Sequence, residues 1–221
     1  MESFKTQLLD IALEINALKF GEFTLKSGRK SPYFFNLGLF ANAKDLKTLA
    51  ESYANTIIKS KLQFDVLFGP AYKGIPLAAL VAVKLYELGG EDYANLSFSY
   101  NRKEKKDHGE GGMIVGPSLT GKKVLIIDDV MTAGTAINEA YSIIKNEQAE
   151  VVGIVTSLDR QEVAPGSELS TTATVSKRFN VPVFSIITLA DIVAYLKPTL
   201  TAEQLQNIEN YRAQYGAKDL E

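Results

Sequence analysis

The chain has 221 residues, 46% of them apolar, with a formal net charge of −2, one histidine and no cysteine. That supports a substantial core in one large or two small domains, leaves no global nucleic-acid footprint, and excludes disulfides, thiolate metal sites and a histidine-rich metal cage. The opening residues MESFKTQLLD lack a basic region followed by an apolar stretch, and no apolar run approaches the ~20 residues that span a bilayer. A soluble, cytoplasmic protein with no signal peptide and no membrane partner is expected.

Phe4, Leu8, Ile11, Ala12, Ile15 and Leu18 recur at helical spacing and predict an opening amphipathic helix. The aromatic-rich segment FGEFTLKSGRKSPYFFNLGLF follows, with KSGRKS as its turn, and predicts a β-hairpin that caps the domain instead of joining the main sheet. Leu46, Leu49, Ala50, Tyr53, Ala54, Ile57 and Ile58 mark a second helix. Val66-Leu67-Phe68 is a short buried strand ended by Gly69-Pro70, Ile75 to Tyr86 is helical, and Leu96 to Tyr100 is a strand. After the central strand at Val124 to Ile127 come a strand at Val151 to Leu158, a helix around Glu168 to Phe179 and a strand from Val181 to Ile187. Thr201-x-x-Gln204 is a capping-box pattern opening a last helix. Strands alternating with helices predict an α/β fold, a doubly wound, mainly parallel sheet flanked by helices. With no repeat, low-complexity stretch or linker in view, one domain over residues 1–221 is expected: a small hood (helix plus β-hairpin, approximately 1–40) above the sheet's carboxyl edge, and a core of approximately 41–221.

The stretch Val124 to Ala136, VLIIDDVMTAGTA, organises the rest. Four apolar residues in a row suit a parallel strand covered on both faces. Asp128 and Asp129 stand at its carboxyl end, and Val130, Met131, Thr132, Ala133, Gly134, Thr135 and Ala136 lead into helical spacing at Ile137, Ala140, Tyr141 and Ile144. Ligands of open α/β sheets bind beyond the carboxyl ends of the strands. A Thr/Gly loop opening a helix presents backbone N–H groups, hydroxyls and the positive end of a helix dipole, which suits a phosphate. The two carboxylates would repel that phosphate. They suit the hydroxyls of a sugar carrying it, or a metal bridging to it. Asp-Asp alone fits a helix cap; followed by TAGT it reads as a grip on ribose 5-phosphate.

Phe68 to Gly74, FGPAYKG, faces the same crevice by topology, and Lys73 projects a cation there. Arg102 to Gly112, RKEKKDHGEGG, has no apolar residue and cannot pack into a core, so a mobile cationic flap able to close over a polyanion is expected, with His108 inside it. Gly116-x-x-x-x-Gly121-Lys122 imitates a Walker loop, but Lys123 replaces the Ser or Thr and a strand follows, so a turn is expected. Lys26, Tyr33, Phe34 and Phe35 lie in the hairpin, the one candidate roof for a planar substrate. Arg160 ends a strand beside the central loop, where a guanidinium can bind a carboxylate bidentately.

On VLIIDDVMTAGTA the chain resembles the type I phosphoribosyltransferases. With FTLKSGRKSPYFFN, FGPAYKGIPLA, RKEKKDHGEGG and Arg160 in family order, it is similar along nearly its whole length to the orotate-specific branch of that family. The resemblance implies a Mg²⁺-dependent transfer of the phosphoribosyl group from 5-phosphoribosyl 1-diphosphate to orotate, giving orotidine 5′-monophosphate and diphosphate. It implies that Asp128 to Ala136 hold ribose and 5′-phosphate. Tyr72, Lys73, Arg102, Lys103, Lys106 and His108 would contact the donor, together with Lys26. Lys26, Phe34, Phe35, Thr132 and Arg160 would line the orotate pocket. Lys106, Asp128 and Asp129 are the residues it assigns to catalysis. No metal ligand is assigned directly, since Mg²⁺ would be held mainly by substrate oxygens, with Asp128 or Asp129 reached through water. It also implies a homodimer in which one subunit's loop reaches the other's site. A purine or xanthine phosphoribosyltransferase, and a non-catalytic nucleotide-sensing regulator of the same fold, are the alternatives. No partner nucleic acid is expected.

Overall fold

The computed structural model describes residues 1–25, 27–106, 112–131 and 134–218, with backbone alone for Lys105 and Lys106. Lys26, His108, Thr132 and Ala133 and the side chain of Lys106 therefore lie outside the described residues.

Helix α1 (Ser3–Glu14) buries Phe4, Leu8, Leu9, Ile11 and Ala12. It is shorter than the apolar spacing predicts. Asn16 has φ 58°, a left-handed conformation that stops a helix, and Leu18 opens strand β1 (Leu18–Thr24) instead of closing the helix. β1 pairs antiparallel with β2 (Lys30–Phe35) as a separate two-stranded sheet, the expected capping hairpin. Helix α2 (Ala43–Ser60) is capped by Asn42, whose side chain accepts from the Asp45 N–H.

The main sheet is built from β3 (Val66–Phe68), β4 (Ser97–Lys106), β5 (Gly112–Val115), β6 (Lys123–Ile127), β7 (Glu150–Asp159) and β8 (Val183–Thr188), in the order β5-β4-β3-β6-β7-β8. All neighbours are parallel except β5, which runs antiparallel to β4. Helices α3 (Gly74–Gly89), α4 (Thr135–Asn146), α5 (Thr171–Phe179), α6 (Leu189–Leu196) and α7 (Ala202–Tyr215) complete the described elements.

The unbroken apolar strands divide their side chains between two clusters. Leu67, Leu125 and Ile127 meet α1, α2, α3 and α6 on one face; Val66, Phe68, Val124 and Ile126 meet α4 and α5 on the other. That is period-two alternation with both faces covered. Truncating a residue such as the fully buried Ile126 to Ala would cost roughly 2–5 kcal/mol.

Three further features depart from expectation. β4 continues six residues beyond Tyr100 to Lys106 and pairs with β5, so Arg102 and Lys103 are strand residues, not loop residues. An arm wetted on its outer faces shows no apolar periodicity, which is why RKEKK reads as a loop. Helix α5 starts at Thr171 instead of Glu168, capped by Ser170. Helix α6 is not among the expected elements: a capping box between Thr188 and Asp191 turns the chain from strand to helix there. The Walker-like segment is the turn between β5 and β6, with Gly116 at φ 128° and Gly121 at φ 71°. No helix among the described residues is long and apolar enough to cross a membrane.

Candidate active site

β3 and β6 are adjacent central strands, so the segments leaving their carboxyl ends emerge side by side. Asp128 and Asp129 leave β6 with their backbone pinned. The Asp128 N–H donates to the Val155 carbonyl (3.0 Å), and the Tyr53 hydroxyl donates to the Asp128 carbonyl (2.8 Å). The Ser157 N–H (2.8 Å) and hydroxyl (3.0 Å) both donate to the Asp129 carbonyl. Tyr53 and Ser157 escaped sequence reasoning because they sit on buried apolar elements, where a hydroxyl reads as core. Burial pushes the Tyr53 phenol well above its usual range, so it acts as a neutral donor. Tyr53→Phe is expected to cost about 1–3 kcal/mol in a urea unfolding titration, since the Asp128 carbonyl loses its donor while remaining buried.

The side chains then diverge in environment. Asp128 is buried and its Oδ1 accepts the Asp129 N–H at 2.9 Å. Burial, and secondarily the Asp129 charge, push its carboxyl up to about 6, against the opposing pull of the Asp129 amide and Lys73. Asp129 reaches outward, and its Oδ2 accepts from Lys73 Nζ at 2.8 Å. The lysine side chain is 64% exposed, so the ion pair itself contributes at most about 1 kcal/mol. Its value is positional: it joins the segment after β3 to the acids after β6.

That segment, residues 69–74, is folded tightly. A Cβ on Gly69 would stand 2.0 Å from the Gly74 carbonyl oxygen, and one on Gly74 would stand 2.7 Å from Pro70 Cδ, so each position requires glycine. The Ala71 N–H donates to Oδ1 of buried Asn101 on β4 (2.9 Å), a support residue that the sequence did not single out. The Ala71–Tyr72 peptide is cis, and Tyr72 is exposed.

After β6, Val130 bridges to Leu158 and Met131 is buried. Gly134, at φ 69°, precedes α4 and accepts the Asn138 N–H. Thr135 and Ala136 form the first turn of α4, where amides lack intrahelical acceptors.

Two of the arm cations, Arg102 and Lys103, are engaged within the chain. Arg102 donates to the Gly112 (3.4 Å) and Ile114 (3.2 Å) carbonyls, tying β4 to β5. Lys103 pairs with Glu139 of α4 at 3.1 Å. In the hood, alternation along β2 sends Phe34 outward, stacked on Phe23 at 5.6 Å, while Phe35 enters the core. Only one of the two expected ring faces is therefore available, because neighbouring strand residues point to opposite faces. Arg160 is buried at the end of β7. Its Nε donates to Glu162 Oε1 (2.7 Å), one terminal nitrogen donates to the Ser31 hydroxyl (2.9 Å), and its guanidinium lies 4.2 Å from the Tyr33 ring centre. Part of the fork expected to meet a ligand is thus committed to the hood and to Glu162. Among the described residues no cluster of three or more acids or histidines could hold a metal ion.

The structure thus brings Lys73, Asp128 and Asp129 together at the sheet's carboxyl edge, with Gly134, Thr135 and Ala136 following them. A parallel strand ending in two acids and a glycine-bearing turn is the mark of an enzyme class: the chain belongs to the phosphoribosyltransferases, and the model for the phosphoribosyl transferase domain matches residues 40–183. It is 57% identical to the orotate phosphoribosyltransferase of Yarrowia lipolytica over 99% of this chain and 100% of that protein. Against the orotate phosphoribosyltransferase of Shigella flexneri it is 51% identical, over 98% of this chain and 100% of that one. The crystal structure of the Francisella tularensis orotate phosphoribosyltransferase matches with a TM-score of 0.86 at 46% identity, covering 95% of this chain and 99% of that chain. Within the class, this chain is a member of the orotate phosphoribosyltransferases.

Proposed function

We propose that the protein transfers the 5-phosphoribosyl group from 5-phosphoribosyl 1-diphosphate to orotate, releasing diphosphate and forming orotidine 5′-monophosphate. The observation that carries this reading is the 2.8 Å contact between Lys73 and Asp129, which joins a cationic loop to an acid pair at the ends of adjacent strands. The acids suit ribose hydroxyls. The turn and helix start at Val130 to Ala136 suit the 5′-phosphate, and Tyr72 and Lys73 with the arm cations Arg102, Lys103, Lys106 and His108 suit the diphosphate. Lys26, Phe34, Thr132 and Arg160 are assigned to the orotate side, while the ring of Phe35, expected there too, is packed in the core.

Cleaving the C1–diphosphate bond puts positive charge on the ribose and negative charge on the departing oxygen. Cations already fixed around the leaving group stabilise that separation, and closing the arm strengthens each contact by excluding water. Orotate arrives as an anion, so its ring nitrogen needs no strong base. Lys73 can exchange Asp129 for a diphosphate oxygen, which frees the Asp129 carboxylate for a ribose hydroxyl.

The donor set fits a hard divalent cation held chiefly by substrate oxygens: two carboxylates, one paired with Lys73, form no closed cage, yet both can take a metal-bound water. Mg²⁺ held there would neutralise diphosphate charge.

Leu80, Val83 and Tyr86 of α3 and Phe98 of β4 are exposed large apolar side chains, a surface suited to a second copy. The chain is read as one domain, hood on core, working as a cytoplasmic homodimer with arms shared between subunits.

The test is diphosphate release with orotate or with purine bases as acceptor. Orotate-dependent release is expected. Release with a purine alone would move the chain to the purine branch, and nucleotide binding without release would make it a regulator. Arg160→Lys is expected to raise the KM for orotate about tenfold with kcat nearly unchanged, since loss of one good charged hydrogen bond is worth about 1.4 kcal/mol or more. An unchanged KM would remove Arg160 from the pocket.

A further inference from the structure

Glu162 is mentioned in no motif, yet it occupies the junction on which the base side of the site depends. Its carboxylate is buried and shared by two arginines. Oε1 accepts Arg160 Nε at 2.7 Å, and Oε2 accepts Arg29 NH1 at 3.3 Å. Arg29 closes the hairpin turn: its carbonyl accepts the Leu25 N–H, and its other terminal nitrogen donates to the Val163 carbonyl at 3.0 Å. Its guanidinium also lies 4.8 Å from the Tyr215 ring centre.

The backbone bearing that carboxylate is itself fixed. The Glu162 carbonyl accepts the Thr171 N–H (3.1 Å), the Val163 N–H donates to Tyr215 (2.9 Å), and the Ala217 N–H donates to Gln161 (3.0 Å). Asp159, nearby at the end of β7, is occupied by the Gln161 amide and the Thr172 hydroxyl. A carboxylate on so rigid a mount sets where both guanidinium planes point. The Tyr33 hydroxyl is buried with no hydrogen-bond partner among the described residues, while the Tyr211 hydroxyl lies against Arg160 and Glu162. The charges of Arg160 and Glu162 act on both phenols.

We propose that Glu162 is a positioning residue for base selection: it aims the Arg160 guanidinium at the carboxylate of the substrate and, through Arg29, fixes the hood hairpin to the same point. This rests on the reading above that Arg160 meets the orotate carboxylate. A carboxamide can keep one acceptor contact but not the shared charge that orients two cations.

The test compares two ligands that share the phosphoribosyl grip and differ in one group: orotidine 5′-monophosphate, and uridine 5′-monophosphate, which lacks the ring carboxylate. Their Kd values are measured by calorimetry on the intact protein, Glu162→Gln and Arg160→Lys. Glu162→Gln is expected to weaken orotidine 5′-monophosphate about tenfold while leaving uridine 5′-monophosphate within about twofold, collapsing the preference. Glu162→Asp, which keeps the charge, should restore part of it, and takes over if the amide variant does not fold. Equal weakening of both ligands would make Glu162 a purely structural residue and overturn the proposal. If Arg160→Lys collapses the preference and neither Glu162 variant does, the positioning role fails while the pocket assignment stands. If Arg160→Lys keeps the full preference, the pocket assignment fails, and the proposal with it.

Discussion

Lys106→Ala is expected to lower kcat about 100-fold or more, a loss of roughly 2.7 kcal/mol in transition-state stabilisation, while the Kd for the ribosyl donor changes less than about threefold. Lys106 is the last residue of β4, its backbone paired with Gly112 across the arm. The family resemblance implies that its ammonium would meet the leaving group. On that reading several cations would meet the diphosphate oxygens in the ground state, so removing one should cost little binding. As the C1–O bond breaks, the bridging oxygen gains charge that had not existed before, and a cation placed for it acts mainly then. Lys103 should matter less, because it already has Glu139 as a partner at 3.1 Å. Single-turnover kinetics beside donor binding separate the two quantities. A variant that binds the donor poorly yet turns over normally at saturation would remove Lys106 from the transition state.

Asp128→Asn is expected to make the protein more stable and much less active. Burial raises the Asp128 carboxyl to about 6, against 3.8 for the free side chain. The folded state therefore holds this proton more tightly than the unfolded state. Stability on this account is highest below the unfolded value, falls as pH rises through the interval between the two, and is level above about 6. At neutral pH the folded protein carries a buried carboxylate at a cost of up to roughly 3 kcal/mol, which asparagine removes while its carbonyl keeps the Asp129 amide satisfied. The same substitution should lower kcat/KM about 100-fold, since an amide is a poorer acceptor for a ribose hydroxyl than a carboxylate. In the wild type, kcat/KM should rise with pH through about 6 as Asp128 ionises, and that rise should be absent from the variant. Thermal unfolding at acid and neutral pH, with a pH–rate profile, checks both halves. A less stable variant at neutral pH, or a wild-type profile flat across that interval, would contradict the account.

What was legible in the sequence was chemistry concentrated in short runs. VLIIDD carries four buried positions and then two acids, a change no core element makes without cause. GPAYKG reads as a special turn because both glycines are required by contact, as the 2.0 Å approach at Gly69 demonstrates. Features were illegible where a residue's role depends on a distant partner. Tyr53 looks like any apolar position of α2 until its hydroxyl meets the Asp128 carbonyl, 75 residues away. Glu162 looks like a surface acid until two arginines from either side close on it. Local pattern misled where two periods compete. The arm of β4 and β5 is solvated and shows no alternation, and α6 follows β8 directly, Leu189 coming straight after Thr188, with no loop between them to mark the change. Phe34 and Phe35 read as a pair by composition, and the strand's alternation separates them.

The most direct measurement is a crystal structure of the protein with 5-phosphoribosyl 1-diphosphate and Mg²⁺. The ribose hydroxyls should lie within hydrogen-bond distance of the Asp128 and Asp129 carboxylates, with the 5′-phosphate on the amides of residues 132–136 and Lys73 turned from Asp129 to the diphosphate. A donor bound elsewhere, or one whose sugar leaves both carboxylates untouched, would contradict the account.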